Sequence, residues 1–385
     1  MKTVKKIAGF FYRVTKKAAK IQSWYLHHFA CYLNGRRVWK RIKKKQKQTN
    51  VEAGLISANK AYWKPLCSMV PQVFIKEFTA LTGIKSELFV PENIYFTTIE
   101  PLLNNASISS AYEDKAIIDW MHSGNYFPKI FIRNIHGTYY SEKGEVIQPV
   151  LDFGNGTIEK VVVKPSVGSQ GGKNIYLFEK NGSQWICEEG HVLSIEFMES
   201  RFGMNFIVQE YIHQHPFFSQ FNPSSVNTLR VMTYRSVKDE QIHVIQVVLR
   251  VGKDGSVVDN QSSGGYVCGI GADGCIRNYA INKKGDVVNK LAKGCVNLLD
   301  RMPVHMLDDV KQVAEHIAQR HVHSRLLGFD FCVDKDEQIK LIEVNNMDLA
   351  IDFIQQVNGP LFGEFTQEIR DYCLQHKHRL KHRII

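Results

Sequence analysis

The spacing of hydrophobic positions changes along this chain. Val4, Ile7, Phe11, Val14, Ala18, Ile21 and Tyr25 recur every three or four residues, which places them on one stripe of a helix. Lys5, Lys6, Arg13, Lys16, Lys17 and Lys20 fill the positions between them. From residue 51 to about residue 113 the pattern reads as helix and loop, broken at Pro65, Pro71, Pro91 and Pro101. Tyr112 to His122 predicts a helix, with Asp114 in its first turn. From about residue 128 short alternating runs separated by Gly and Asn turns take over. They predict strands at Lys129–Arg133, Lys160–Val163, Ile175–Glu179, Phe206–Ile212, Thr228–Val237, His243–Val251, Phe329–Asp334 and Ile339–Val344. Helices are expected at 190–202, 303–324 and 360–376. Strands and helices in such blocks indicate an α+β fold, not a regular βαβ repeat.

Charge sharpens the first of these segments. The whole chain carries a net +11, yet 15 Lys and Arg lie at or before Lys47 and the first acid is Glu52. The rest therefore has 34 bases against 38 acids, a net of −4, and is not a nucleic-acid binder by charge. Residues 1–48 form a basic amphipathic stretch that suits either an anionic membrane surface or the protein's own body. No apolar run reaches the roughly 18 residues of a membrane-spanning helix. Ile7 to Phe11 is too short for a signal peptide. The eight cysteines form no CxxC pair and read as reduced core residues, so a cytoplasmic protein is expected, peripheral on the inner face of the membrane if the basic stretch docks there.

Three stretches carry chemistry. In Val161-Val162-Val163-Lys164-Pro165-Ser166-Val167-Gly168-Ser169-Gln170-Gly171-Gly172, a strand delivers a lysine into a glycine-rich loop. Glycine lets backbone N–H groups approach phosphates and lysine adds a point charge, although the stretch is neither a Walker A loop nor GxGxxG. Near the C-terminus, Asp330 precedes a polar turn and Ile339-Lys340-Leu341-Ile342-Glu343-Val344-Asn345 follows it. Glu343 and Asn345 share a strand face and Asp330 can meet them from the partner strand; two carboxylates and an amide suit Mg²⁺. Finally, Arg230 lies in the apolar strand after Asn227, and Arg250 ends the next strand. Arginines so placed need an anionic partner, from the protein or from a substrate. His213 and His215 flank Gln214, but no third metal ligand is apparent. There is no Gly-x-Ser-x-Gly elbow.

In this order the pieces resemble the ATP-grasp superfamily, and within it the sugar-transfer-associated ATP-grasp proteins of bacterial surface-polysaccharide clusters. The matching pieces are Asp114-Lys115, Lys164-Pro165 with its loop, Gln209-Glu210-Tyr211-Ile212, Asn227-Thr228-Leu229-Arg230, Asp259-Asn260 with Gly264-Gly265, and Asp330 with Glu343-Val344-Asn345. The resemblance implies two α+β subdomains gripping ATP, preceded by a basic, mainly helical region. The implied division is 1–50 basic helical segment, 51–113 helical and loop pre-domain, 114–208 small subdomain, and 209–385 large subdomain with the Mg²⁺ site and a C-terminal helix. It implies that Lys115 and Lys164 hold ATP phosphates under the loop of Ser166, Gly168, Ser169, Gly171 and Gly172, and that Gln209, Glu210 and Ile212 meet the adenine. It further implies that Arg230 and Arg250, with Lys164, face the transferring phosphoryl group and that Asp330, Glu343 and Asn345 ligate Mg²⁺. The family's acid–Val–Asn ending continues toward a Pro-Gly turn; here it reads Asn346-Met347-Asp348-Leu349. The implied activity is ATP-dependent carboxylate–amine ligation on small-molecule or glycan-linked substrates. Phosphoryl transfer to a hydroxyl, or a non-enzymatic membrane-associated scaffold, are the competing readings.

Overall fold

The computed structural model describes residues 26, 28–41, 43–44, 50–153, 157–168, 174–255 and 264–380. The stripe over residues 4–25, Ser169, Gly171 and Gly172 of the loop, and Asp259-Asn260 lie outside the described residues.

Two antiparallel sheets organise the chain. The first has six strands: β1 (Ile130–Ile135), β2 (Thr138–Tyr140), β3 (Lys160–Pro165), β4 (Tyr176–Asn181), β5 (Gln184–Cys187) and β6 (Phe206–Glu210). Their order is β2-β1-β6-β3-β4-β5, so β6 is threaded between β1 and β3. Phe178, Trp185, Met198, Phe206 and Val208 form the core between this sheet and the helix Ile195–Phe202. That helix begins where Ser194 Oγ accepts the Phe197 N–H at 3.0 Å and ends at Gly203.

The second sheet comprises β7 (Thr228–Arg235), β8 (Ile242–Val251), β9 (Tyr266–Ile270), β10 (Ile276–Asn282), β11 (Val287–Val288), and, after the small β12 (Lys290–Leu291) and β13 (Val296–Asn297) ribbon, β14 (Leu326–Val333) and β15 (Ile339–Asn345). The order β11-β10-β9-β8-β7-β14-β15 puts β8 at the centre and β7 and β14 between it and the edge strand β15. Both faces are covered, and the period of two assigns each residue to one of them. Leu229, Val231, Leu249, Phe329 and Phe331 pack beneath the helix Leu307–Ala318, which buries Leu307, Val310, Val313, Ala314 and Ile317. Each Leu, Val, Ile or Phe side chain among them contributes about 1.5–3 kcal/mol on burial. Met232, Tyr234, Val248 and Leu326 face the other way, toward the helix Asp352–Asn358 and the apolar side chains of Trp63 to Leu103. Arg230, Arg250 and Asp330 alternate onto this second face.

The expected α+β content and the helical character of residues 51–113 are present, with helices Ala53–Trp63 and Gln72–Thr82 and a π-helical turn at Tyr95–Ile99. Several elements differ from expectation. Tyr112 to His122 is not one helix: a 3₁₀ turn ends at Glu113, Asp114 is extended (φ −73°, ψ 108°), and a short helix restarts at Ile118. The Asp114 carboxylate is the cause, since it accepts the Ala116 N–H at 2.9 Å and offers the backbone a turn in place of the helix. β9, β10 and the helix Asp352–Asn358 were not anticipated. All eight cysteines are unpaired; six are buried, while Cys275 is half-buried and Cys295 exposed, so the last is not a core residue. No helix among the described residues is long and apolar enough to cross a membrane.

Candidate active site

The Asp114 turn aims Lys115 at the second sheet. The Lys115 N–H donates to the Ser166 carbonyl at 3.0 Å, tying the turn to the end of β3. Arg133 of β1, wholly buried, clamps it from behind. Its Nη1 donates to the Ala116 carbonyl at 2.7 Å and to Asp119 Oδ1 at 2.8 Å, its Nη2 to Asp119 Oδ2 at 2.6 Å, and its guanidinium lies 4.6 Å from the Trp120 ring centre. So held, Lys115 Nζ reaches Glu343 Oε1 on β15 at 2.8 Å.

Lys164, on β3, is 5% exposed. Burial drives its ammonium group down, the Lys115 charge adds to the effect, and Glu343 only partly offsets it, leaving it at about 7. A lysine poised there is neutral or charged according to what sits beside it, and a phosphate would restore the charge. Ser166 follows at the loop entrance. Its N–H is already donated to the Asn205 carbonyl at 2.9 Å, while its buried hydroxyl has no hydrogen-bond partner among the described residues. Of the serine's two donors, only the hydroxyl is left for a ligand. Gly168 has a φ of +68° with open space around its α-carbon, a turn that a side-chain-bearing residue rarely adopts.

Asp330 sits at the centre of the arginine group. Arg230 Nε donates to its Oδ1, Arg230 Nη2 to its Oδ2 at 2.7 Å, and Arg250 Nη1 to Oδ2 at 2.6 Å. Burial pushes this carboxyl up, but the two guanidinium groups outweigh it and hold it at about 2. The anionic partner that the sequence demanded for both arginines is thus supplied by the protein. Register explains the arrangement, because Asp330 lies opposite Arg230 on β7 and opposite Glu343 on β15. Gly328 lies opposite Asn345, and a β-carbon at Gly328 would stand 2.7 Å from Leu349 Cδ2 and 3.4 Å from Arg230 Cδ. The glycine leaves the space that the Leu349 side chain occupies, next to Arg230.

The chemistry of Asp330, Glu343 and Asn345 fits a magnesium ion. All are hard oxygen donors. A carboxylate has about four acceptor positions, and the arginines take three on Asp330. Asn345 Nδ2 makes only a long 3.4 Å contact to the Gly328 carbonyl. The divergent Asn346-Met347 ending is anchored instead of turned by Pro-Gly. Glu113 Oε1 accepts the N–H groups of Asn346 (2.9 Å) and Met347 (3.3 Å). The buried Asn346 side-chain amide donates to the Ser109 carbonyl, and the Asn346 backbone carbonyl accepts from the Asn104 side-chain amide, which also reaches the Leu326 carbonyl at 2.8 Å.

On the other side, the ladder of β6 ends at Glu210. Gln209 has strand partners on both sides, Ile130 and Val162, and the Glu210 N–H donates to the Lys129 carbonyl at 2.9 Å. Glu210, Tyr211 and Ile212 line a cavity of about 280 Å³ together with Lys160, His213 and Asp334. The structure thus brings Lys115, Lys164, Ser166 and Glu343 together, and joins Arg230, Arg250 and Asp330 in a second group continuous with it through β14 and β15. Of the expected adenine hinge, residues 209–212, Glu210, Tyr211 and Ile212 border the cavity and Gln209 does not line it. Arg133 and Glu113 were not singled out in the sequence. An arginine inside the apolar run Ile130–Ile135 carries the signal already used for Arg230; nothing local marks Glu113.

A family model described as sugar-transfer associated ATP-grasp matches residues 96–370. No functionally curated protein matches the sequence. Among solved structures, the chain is similar to N5-carboxyaminoimidazole ribonucleotide synthetase from Thermotoga maritima (11% identity, 62% of this chain and 42% of that one, TM-score 0.31). It is also similar to biotin carboxylase from Campylobacter jejuni (12%, 69% and 47%, TM-score 0.41) and to D-alanine–D-alanine ligase from Bacillus anthracis (12%, 72% and 70%, TM-score 0.38). It spans under half the length of the first two.

Proposed function

We propose that this chain, which belongs to the sugar-transfer associated ATP-grasp family, is an ATP- and Mg²⁺-dependent carboxylate–amine ligase. The family membership covers most of the chain and carries the ATP site. What supports the residue assignment is one convergence: Lys115 and Glu343 in contact beside the buried Lys164, on three separate segments.

In this reading Lys115, Lys164 and the Ser166 hydroxyl hold the phosphates of ATP under the glycine-rich loop of residues 166–172. Glu210 to Ile212 border the adenine. A substrate carboxylate oxygen attacks the γ-phosphorus and the bond to the ADP oxygen breaks, giving an acylphosphate. An amine nitrogen then attacks the acyl carbon, loses a proton, and phosphate leaves. Arg230 and Arg250 hold positive charge toward the phosphoryl group, oriented by Asp330 before any substrate arrives. Positioning and charge neutralisation are all that such chemistry asks of the protein. Glu343 and Asn345, with Asp330, would hold magnesium, which when bound neutralises phosphate charge.

The family's description as sugar-transfer associated supports a sugar-linked role. The substrates in this reading are building blocks of bacterial cell-surface polysaccharides or glycoconjugates, either small molecules or glycan-linked. The same reading places the protein on the cytoplasmic face of the membrane. The helix over residues 28–41 supports that placement. His28, Cys31, Gly35 and Val38 form its buried face, while Leu26, Phe29, Leu33, Arg36, Arg37 and Lys40 lie exposed on the opposite side.

The test is ADP release from a panel of carboxylates and amines. A ligase releases ADP and phosphate only when both are supplied, and an ¹⁸O label in the carboxylate appears in the phosphate. Phosphate retained on a hydroxyl acceptor, with no label transfer, would establish the kinase instead. Absence of Mg²⁺-dependent ATP binding would leave only a scaffold.

A further inference from the structure

Two histidines and a glutamate meet where the hinge stretch touches the tip of the β14–β15 hairpin. His215 caps the short helix Pro216–Ser219, His305 precedes the helix Leu307–Ala318, and Glu337 lies in the hairpin turn. His305 Nε2 is 3.3 Å from Glu337 Oε1 and His215 Nε2 is 3.9 Å from it; one donor atom from each residue lies within 4.8 Å of the others. Among the described residues His305 Nε2 is buried and makes no hydrogen bond, although Glu337 Oε1 is in ion-pair range. A buried ring nitrogen that faces a second imidazole and a carboxylate without bonding to either has a lone pair to offer an ion. His213, the neighbour that the sequence offered as a second ligand, instead packs on Tyr211 at 4.9 Å between ring centres.

We propose that His215, His305 and Glu337 form a three-ligand site for a transition-metal ion, with zinc as the best match. Two imidazoles and a carboxylate are ligands of this borderline-soft ion, and its tetrahedral bonds set donors about 3.3 Å apart. One of the separations here already has that value and a second is 0.6 Å longer, being 3.9 against 3.3 Å. The fourth position opens on the side of Glu337, whose side chain is 62% exposed, and takes water.

Two adjustments accompany loading. The imidazole rings stack at 4.3 Å with 10° between their planes, so their in-plane lone pairs run side by side. One ring must rotate about its Cβ–Cγ bond to share an ion. In addition, His215 Nδ1 accepts the Phe217 N–H at 3.2 Å. Ligation through Nε2 puts the ring proton on Nδ1, so this weak cap bond is given up. The backbone around the site is already fixed. The His215 N–H donates to the Val333 carbonyl at 2.9 Å and the Lys335 N–H to the His213 carbonyl at 2.7 Å. A bound ion would add a side-chain staple to these links, pinning the hairpin that carries Asp330 and Glu343 to the stretch leaving the hinge. The site is independent of the ligase reading, because its residues are distinct from those assigned to ATP and magnesium.

The experiment is calorimetric titration of zinc into the full chain, free of any histidine tag and stripped with a chelator, with excess Mg²⁺ present throughout. Cobalt absorption in the visible region reports the coordination geometry. One equivalent of zinc, a tetrahedral cobalt spectrum, and at least a tenfold weaker affinity in both His305→Ala and Glu337→Gln are expected. The exposed Glu337→Gln keeps the test open if His305→Ala fails to fold. No saturable binding in the wild type, or equal binding in Glu337→Gln, would overturn the site.

Discussion

The ammonium group of Lys115 lies 2.8 Å from Oε1 of Glu343, joining residues 228 positions apart in the chain. One comes from a turn before the first sheet and the other from the edge strand of the second. The pair holds Glu343 at the place where the proposed reading needs a metal ligand. Glu343→Gln removes the charge and keeps the shape. Calorimetry with and without Mg²⁺ should show ATP affinity falling by tenfold or more in the presence of the ion and changing little in its absence, about 1.4 kcal/mol for each factor of ten. An equal loss in both conditions would mean that Glu343 acts only through Lys115.

Lys164 links nucleotide binding to protons. Its ammonium group titrates at about 7 in the free protein, and an ATP phosphate beside it would raise that value. At pH 8 the free lysine is mostly neutral, so binding should take up about one proton. At pH 6 it is already charged, and uptake should vanish. Calorimetry at both pH values, in buffers of different ionisation enthalpy, measures this directly. Lys164→Met should abolish the pH 8 uptake, and uptake that persists in the variant would assign it elsewhere.

Asp330 neutralises two buried arginines at once. Asp330→Ala leaves both without their carboxylate, a change that typically costs about 3–5 kcal/mol. Urea unfolding should show this as a lower midpoint. For the wild type the carboxyl, held at about 2, contributes stability above its unfolded value of 3.8, and this is lost as pH falls through about 2. A midpoint unchanged in Asp330→Ala would mean that the arginines find other partners.

Glu77 behaves in the opposite sense. Burial raises its carboxyl from 4.5 to about 8, although the Gln356 amide donates to it at 2.6 Å. A carboxyl raised in the fold gives stability that is complete below 4.5 and lost as pH rises through about 8. Glu77→Gln should therefore lose less stability than the wild type between pH 5 and pH 9, by something on the order of 2–4 kcal/mol. Parallel pH profiles for the two proteins would refute the assignment.

The exposed face of the helix over residues 28–41 makes the membrane reading testable. The full chain should sediment with vesicles containing phosphatidylglycerol and remain in solution with pure phosphatidylcholine. Leu33→Glu, which alters the exposed face alone, should weaken sedimentation by about tenfold. Binding that is unaffected by Leu33→Glu would exclude this face as the docking surface.

Where a short-range rule sets the backbone, the sequence was a good guide. Lys164 ends a clear strand before a glycine-rich loop, and Glu343 and Asn345 share a face by the period of two. Arg230 was legible as a buried charge in need of an anion, but its partner Asp330 is 100 positions away and only strand pairing identifies it. The turn at Asp114 was misread because the acid that favours a helix start also closes a local side-chain turn. The helix Asp352–Asn358 was missed because Phe353 to Val357 are all buried, Gln355 and Gln356 included, so the polar positions do not mark an exposed face. Glu113 was illegible for a different reason: its role is to accept two backbone N–H groups from residues 346 and 347, and backbone donors leave no trace in side-chain pattern.

Those contacts of Asn346 bear on how the chain can be divided and recombined. The strand carrying Glu343 and Asn345 ends on groups from residues 104 to 113, which precede both sheets. A fragment opened at residue 114 would retain every residue assigned to ATP and magnesium and would still expose the Asn346 amide and two backbone N–H groups without acceptors. The smallest portable unit of this site therefore begins upstream of Asn104. Grafting the two sheets alone onto another front end would transplant the ligands without the mooring that sets their reach.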